Sequence, residues 1–115
     1  MIVVAAQLDF ADQATRDDVV SVSAPIQKAT RDDEPGCHAY CFAADPCEPK
    51  RIQVYELWED EASLAAHFTH ANYLAMRDLL IGRKPTGSWN RMYLTTRDEP
   101  VYGPEGQIRN KFFVD

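Results

Sequence analysis

The sequence predicts an α+β fold of the ferredoxin-like type, in which helices pack on a four-stranded antiparallel sheet. Four short runs of the 115-residue chain have the length and apolar pattern of β-strands. Two longer segments carry apolar residues at helical spacing, and the elements follow the order β-α-β-β-α-β. A chain of this length has room for one modest core. We therefore expect one domain over residues 1–97 and a C-terminal extension over residues 98–115.

The first strand and the first helix follow from local signals. Residues 2–9, "IVVAAQLD", predict a strand, and Asp12 is placed to cap the helix that comes next. The apolar positions of this helix recur at helical spacing: Val19, Val22, Ile26 and Ala29. Pro25 lies inside the segment, so we expect it to kink or interrupt the helix.

The second half of the pattern contains a hairpin, a helical region and a last strand. Residues 37–44 and 51–59 predict two strands, and the short turn between them predicts an antiparallel hairpin. Asp60 can cap the next helix, and a second helical piece over 72–82 ends at a glycine. Residues 88–96 predict the fourth strand.

Composition and charge restrict the function classes. The formal net charge is −6 and the sequence has no cluster of lysine or arginine, which argues against a nucleic-acid partner. The N-terminus is apolar for only a few residues and carries no basic leader, so it predicts a strand and not a signal peptide or membrane span. We expect a cytoplasmic protein without a membrane partner.

The three cysteines do not predict a disulfide framework or a zinc site. Their odd number leaves one unpaired, and Cys37 and Cys41 would share a strand face roughly 13 Å apart at about 3.3 Å per residue. We expect all three, Cys47 included, to be reduced and buried.

The first strand has two apolar faces, although helices can cover only one. Its even positions from Ile2 to Leu8 are apolar, and Val3 and Ala5 on the other face are followed by Gln7. An uncovered apolar sheet face needs a partner. The simplest solution is a homodimer that packs sheet against sheet.

Two segments resemble the antibiotic biosynthesis monooxygenase family of dimeric α/β-barrel proteins. They are "PGCHAY" at 35–40 and "YELWEDEASLAAHFTHANYLAM" at 55–76. The marks that match are Gly36-Cys37 with Tyr40, Glu56 with Trp58, the Asp60-x-Ala62 turn, and Leu64-x-x-His67 followed by Ala71 and Tyr73. The resemblance implies an eight-stranded barrel shared by two subunits, with one pocket per subunit between sheet and helices. It also implies oxidation of a phenol or quinol by dioxygen without flavin or metal, so we expect no cofactor.

The two histidines of the helical region are predicted to differ. With Leu64 set inward and about 100° per residue, His67 falls near −60° on the edge of the apolar face and His70 near −120° toward solvent. His67 is therefore the candidate catalytic residue, as a general base or a hydrogen-bond donor. The alternative is a partly buried structural histidine. A metal shared by the pair is not expected, because no suitably spaced third ligand follows on the helix.

Other candidate residues lie on the predicted strands. Glu56 shares its face with aliphatic residues and Trp58, so it is either a proton acceptor or half of a structural ion pair with Arg51, Arg77 or Arg91. His38, Tyr40 and Phe42 share a face of the second strand, either to bind a ligand or to pack an interface. The full set of expected substrate-binding residues is Gln7, His38, Tyr40, Glu56, Trp58, Phe68, Tyr73 and Arg77.

Within the resembling family, the haem-degrading branch is disfavoured by three positions. Arg77 stands where those relatives have an axial histidine, Gln7 replaces an asparagine, and His67 replaces a tryptophan. We therefore predict a cofactor-independent monooxygenase acting on a small aromatic phenol or quinol with dioxygen. An isomerase or lyase on a small carbonyl compound, or a non-catalytic dimeric ligand-binding module, remain alternatives. In the extension, turn residues followed by "KFFV" predict a short returning strand over the partner subunit.

Overall fold

The computed structural model describes residues 1–114 and confirms the ferredoxin-like fold. Its elements are β1 (Ile2–Asp9), α1 (Gln13–Asp33), β2 (Cys37–Ala44), β3 (Arg51–Trp58), α2 (Glu61–His67), α3 (Ala71–Gly82) and β4 (Gly87–Leu94). The sheet has the order β2-β3-β1-β4, and every neighbouring pair is antiparallel. The second helical region of the sequence is two helices, so the full order is β-α-β-β-α-α-β.

The strand register divides the sheet into two faces. Val4 lies opposite Glu56 on β3 and Met92 on β4, and residues paired in this way share a face. This is the inner face, which carries the helices and the hydrophobic core around Trp58. The neighbouring residue Ala5 belongs to the open face, which no helix covers in the part of the chain that the structure describes.

Helix α1 begins where the sequence predicted. The Asp12 side chain accepts a hydrogen bond from the backbone N–H of Thr15 at 2.7 Å. The helix continues through Pro25, so the predicted interruption is wrong. The Pro25 side chain is exposed, while Ser23 and Gln27 on either side are buried, and we infer that this packing holds the helix together across the missing hydrogen bond.

The buried stripe of α1 is more polar than the sequence pattern indicated. Its buried members are Arg16, Val19, Ser23, Gln27 and Thr30. Val22, which we expected to face the core, is 45% exposed. Each polar member has a hydrogen-bond partner, as buried polar groups require. Arg16 and Gln27 bind backbone groups of the sheet and its hairpin, whereas the hydroxyls of Ser23 and Thr30 donate to carbonyls of α1 itself.

Two side chains of α1 bind the outer edge of β2. The amide of Gln27 donates to the Phe42 carbonyl at 3.2 Å and accepts from the Phe42 N–H at 2.8 Å, as a neighbouring strand would. Arg31 Nε donates to the Tyr40 carbonyl at 2.6 Å. Helix α1 therefore closes this edge of the sheet against further strands.

Arg16 performs a similar role at the β2–β3 hairpin. Its Nη1 lies 2.9 to 3.3 Å from the carbonyl oxygens of Asp45, Glu48 and Arg51, while its side chain is almost fully buried. Two of these carbonyls also accept backbone hydrogen bonds, from the Arg51 N–H to Glu48 at 3.1 Å and from the Asp45 N–H to Arg51 at 3.0 Å. The guanidinium therefore adds a charged donor to a hairpin turn that already has backbone bonds of its own. The hairpin turn and α1 are thus joined by one side chain.

A β-bulge changes the beginning of β2. Cys37 lies opposite Trp58 and Ala39 lies opposite Leu57, so His38 is an extra residue without a partner. The bulge puts Cys37 and Cys41 on different faces, and our expectation that they share one is wrong. All three cysteines are free, but none is fully buried as we expected: Cys37 and Cys41 are half-buried, and Cys47 lies in the exposed hairpin turn.

The helical region after β3 is divided into two helices, and each begins at its own N-cap residue. Asp60 caps α2 by accepting from the Ser63 N–H at 2.8 Å. Helix α2 ends after seven residues, and the His70 imidazole then caps α3 by accepting from the Asn72 N–H at 3.0 Å. Among residues 1–114, no helix has the length and apolar content needed to cross a bilayer.

Candidate active site

A cavity of about 560 Å³ lies between the inner face of the sheet and the helices α2 and α3. Its volume suits a small aromatic molecule. Aliphatic and aromatic side chains form most of its wall, with β4 residues at one side. The lining residues are Val4, Ala6, Leu8, Phe42, Val54, Glu56, Leu64, Phe68, Leu80, Asn90, Arg91 and Met92.

Glu56 is the one acidic residue among those that line this cavity. The alternation of β3 directs its side chain to the inner face, where it is buried and accepts a 2.9 Å hydrogen bond from Nε1 of Trp58. Burial raises the pKa of Glu56 above its ordinary value, against the lowering effects of the Trp58 hydrogen bond and of nearby His67. A buried carboxyl with a raised pKa in an apolar cavity has the properties of a general base.

The predicted ion pair of Glu56 does not form. Arg51 binds Asp9 at 2.8 Å and Arg77 binds Asp78 at 3.2 Å. Arg91 donates to a neighbouring backbone carbonyl and lies over the Trp89 ring. Each of the three arginines thus has a partner other than Glu56. The hydrogen bond to the Glu56 carboxyl group comes from the indole of Trp58 instead.

His67 points inward, as its helical position predicted, but it is not among the residues that line the cavity. Its Nδ1 is hydrogen-bonded to Oε1 of Glu34 at 2.7 Å, and the two side chains are only 2% and 3% exposed. The other carboxylate oxygen of Glu34 accepts from the Asn72 side chain at 3.2 Å. His67 therefore belongs to a buried polar pair behind the cavity wall.

Aromatic rings surround the imidazole of His67. The ring centroids of Trp58, Tyr73, Tyr40 and Phe68 lie 4.6, 5.3, 5.6 and 5.8 Å from that of His67. Trp58 is the contact that leads to the cavity, because the same indole donates its N–H to Glu56. The chain of contacts Glu34, His67, Trp58, Glu56 thus connects the buried pair to the candidate base.

The backbone after α1 places Glu34 in this pair. Glu34 is the C-cap of α1, and Gly36 two residues later has a φ of 82°, which favours glycine. A side chain at Gly36 would also collide with Ser63, since an added Cβ would lie 2.2 Å from its Oγ. Glu34 was not among the predicted site residues, and the local signal beside it is the segment "EPG" between α1 and β2.

His70 has a different environment, in agreement with the predicted difference between the two histidines. Its side chain is 39% exposed and caps α3. Its Nδ1 lies 3.9 Å from Oε2 of Glu34, at the limit of an ion pair. His70 thus stands at the outer end of the polar cluster.

A smaller cavity of about 250 Å³ adjoins the first and shares Phe42, Glu56 and Leu80 with it. Tyr40, Tyr73 and Arg77 line this smaller cavity, so the structure brings these three predicted residues close to Glu56. Burial and the nearby carboxylates raise the pKa of the Tyr40 phenol, which keeps it protonated and able to donate a hydrogen bond.

Two predicted site residues lie elsewhere. Gln7 is on the open face, opposite Gln53 and Trp89, because its odd position in β1 turns it away from the helices. The His38 side chain is exposed and pairs with Glu59, because the bulge removes it from the face of Tyr40. Neither belongs to the cavity.

The described residues give no sign of a metal centre. Within residues 1–114, no group of three or more histidine, cysteine, aspartate or glutamate side chains is arranged to hold a metal ion. His67, His70 and Glu34 come together, but Glu34 is already bonded to His67 and Asn72.

A family profile described as antibiotic biosynthesis monooxygenase matches residues 1–79. No curated protein matches the chain. Several solved structures share its fold. One is a Deinococcus radiodurans protein described as an antibiotic biosynthesis monooxygenase, with a TM-score of 0.78 and 19% identity, over 90% of this chain and 100% of that one.

Two further structures carry related descriptions. One is an antibiotic biosynthesis monooxygenase at 25% identity and a TM-score of 0.70, over 84% of this chain and all of the other. Another is a Streptomyces coelicolor monooxygenase in complex with nanaomycin D, at 18% identity and a TM-score of 0.71, over 89% of this chain and 92% of that one. At 18% and 19% identity, these likenesses support the fold alone.

Proposed function

Because the chain belongs to the antibiotic biosynthesis monooxygenase family, we propose that it is a cofactor-independent monooxygenase that oxidises a small phenol or quinol with dioxygen. One observation carries the proposal: the carboxyl group of Glu56 is buried at the wall of an apolar cavity of about 560 Å³, and burial raises its pKa. The Streptomyces coelicolor relative, a monooxygenase described with nanaomycin D bound, supports an organic ligand of moderate size.

In the proposed reaction Glu56 accepts the proton of the substrate hydroxyl. The resulting phenolate is electron-rich and reacts with dioxygen directly. For a phenol with a free ring carbon, one oxygen atom enters the ring to give a quinone and the other leaves as water. The substrate then supplies all four electrons that reduce dioxygen, so the balance needs no flavin or metal.

The surrounding residues would position the substrate. Phe68 and the aliphatic wall would pack against the substrate ring, and displacing water from that side strengthens hydrogen bonds to a phenolate oxygen. Tyr40, Tyr73 and Arg77 supply polar groups in the adjoining cavity. We assign His67 a positioning role, because it contacts Trp58 and does not line the cavity, in place of the direct role as base that we first expected.

We further propose that the working form is a homodimer that buries the open face, acting in the cytoplasm. Tyr55, Trp89 and Tyr93 are exposed on this face beside the half-buried Val3 and Leu57. An apolar patch of this kind on a soluble domain usually marks an interface, and a two-fold pair of sheets would cover it. Sedimentation at micromolar concentration tests this directly, and a stable monomer would contradict it.

The reaction is tested with an oxygen electrode and a panel of hydroquinones and naphthols. We expect oxygen uptake that matches quinone formation, and Glu56→Gln should lower kcat/KM by at least about 10²-fold. Glu61→Gln is the matched control, since this carboxylate is exposed on α2. Product formation without oxygen uptake would favour the isomerase or lyase alternative. Ligand binding without turnover would favour a binding module.

A further inference from the structure

The two edges of the sheet differ in how they are covered. Gln27 and Arg31 of α1 close the outer edge of β2. At the other edge all eight residues of β4 are exposed, among them Met92 at 61% and Leu94 at 71%. A long edge strand with exposed apolar side chains is a site where another strand can add.

The cavity is open on the β4 side. Helix α1 packs mainly over β2 and β3, and α2 packs over β3, so the inner face of β4 has little helical cover. Asn90 and Met92 of this strand nevertheless line the cavity. A segment lying along the inner side of β4 would therefore both cover the exposed strand and close the cavity.

The segment after β4 has the composition of such a cover. We call residues 98–114 the arm. Six large apolar side chains of the arm are 55 to 87% exposed in the single chain: Val101, Tyr102, Ile108, Phe112, Phe113 and Val114. Its regular structure is a single bridge between Tyr102 and Ile108. Among residues 1–114, the described hydrogen bonds of the arm have both partners between Arg97 and Val114.

The overall dimensions agree with an arm that extends from the domain. The Cα radius of gyration is 16.1 Å, whereas a compact chain of this length has about 13 Å. The extents of 48 × 33 × 22 Å show that the molecule is elongated. Apolar side chains held out in this way are typical of a segment that docks on another molecule.

We propose that the arm of one subunit lies along β4 of a second copy and closes that copy's cavity with Phe112 and Phe113. This inference rests on the homodimer of the proposed function and goes beyond it, because each active site would then contain residues of both chains. Extended at about 3.3 Å per residue, the seventeen residues of the arm span roughly 56 Å, about twice the length of an eight-residue strand.

The arm is less suited to pair with β4 of its own chain than with β4 of a second copy. In the single chain the arm does not cover that strand, since every β4 residue is exposed. Pro100 and Pro104 lack the N–H that a paired strand needs, and the proline-free stretch begins only at Glu105. Pairing with its own β4 would require a connection of ten residues, whereas hairpin loops commonly have two to five.

Disulfide trapping between two differently tagged chains tests the proposal. One chain carries Met92→Cys and the other Phe113→Cys, both in a Cys47→Ser background that removes the exposed native thiol. Co-expressed subunits should give a covalent heterodimer on mild oxidation. Val22→Cys paired with Phe113→Cys is the control, since Val22 is exposed on α1, and should give none. Absence of the Met92–Phe113 link would overturn the proposal. So would a link that forms only when one chain carries both cysteines.

Truncation after Arg97 gives a second readout. We expect the truncated protein to remain a dimer, with its dissociation constant raised at least tenfold and amide exchange of residues 87–94 accelerated at least tenfold. Exchange in β2 should not change, because α1 of the same chain covers that edge. If both the amide exchange of β4 and the dissociation constant are unchanged, the proposal that the arm lies along β4 of a second copy is refuted. A full-length chain that sediments as a monomer would instead refute the proposed dimer, so the two failures are distinguishable.

Discussion

Replacement of His67 by alanine is expected to lower the free energy of unfolding much more than replacement of His70. His67 and Glu34 are 2% and 3% exposed and joined at 2.7 Å. His67→Ala would leave the Glu34 carboxylate buried with the Asn72 amide as its remaining donor at hydrogen-bonding distance. Removing one partner of a buried pair usually lowers stability by about 3–5 kcal/mol. His70→Ala removes a helix cap from an exposed side chain, at about 1 kcal/mol.

Urea unfolding of the two variants and of Glu34→Gln measures these differences. A double-mutant cycle separates the pair from simple packing, because Glu34→Gln should recover part of the stability lost in His67→Ala. Equal losses for the His67 and His70 variants would refute the buried pair. In folded dimers, His67→Ala should lower kcat/KM by about 10²-fold through misplacement of Trp58 and Glu56, and His70→Ala by less than about threefold. A slower His70 variant would indicate that the site lies on the other side of the helix.

Three further predictions concern Glu56, Arg16 and the absence of a chromophore. Because burial raises the pKa of Glu56, the stability that this group contributes is present in acid and lost as the pH rises through the raised pKa. Glu56→Gln should therefore unfold at a higher urea concentration than the wild type at pH 7, and this difference should shrink toward pH 4. Wild-type activity should fall in acid, with an inflection above the ordinary glutamate pKa of 4.5. Arg16→Leu should lower stability by about 1.5–3 kcal/mol, seen in thermal melts, because it removes the charged donor that joins three backbone carbonyls of the hairpin to α1. The purified protein should be colourless and free of metal by elemental analysis, and a Soret band on haem titration with turnover would contradict this.

Local signals in the sequence were sufficient to predict the order of the strands and the starts of the helices. Asp12 and Asp60 cap the helices that we assigned to them, since a cap depends on residues three positions apart. The predicted difference in burial between His67 and His70 is also correct. The continuous helix behind that prediction is wrong for His70, because α2 ends at His67 and His70 caps α3. The two cap predictions succeeded because each depends on the geometry of a single element.

The errors concern contacts between elements. Glu34 lies 33 positions before His67, and no local pattern joins them. The bulge at His38 depends on the pairing of two strands, and it moved that residue out of the site. Pro25 stays helical because Ser23 and Gln27 pack on both sides of it. In each case the outcome depends on packing between elements, which no local sequence pattern reports.

The binding of Gln27 to the backbone of Phe42 also affects how large an assembly can become. A sheet that offers two free edges can add copies on both sides, and such head-to-tail addition produces open fibres. Here one edge already has its backbone donor and acceptor occupied by a side chain of the same subunit. Growth by strand addition is then possible on the β4 side alone, and the arm of a second copy lying along β4 would cover that edge as well. Gln27→Ala should therefore increase fibril formation under mild denaturation, which thioflavin fluorescence would detect, and an unchanged rate would contradict this role.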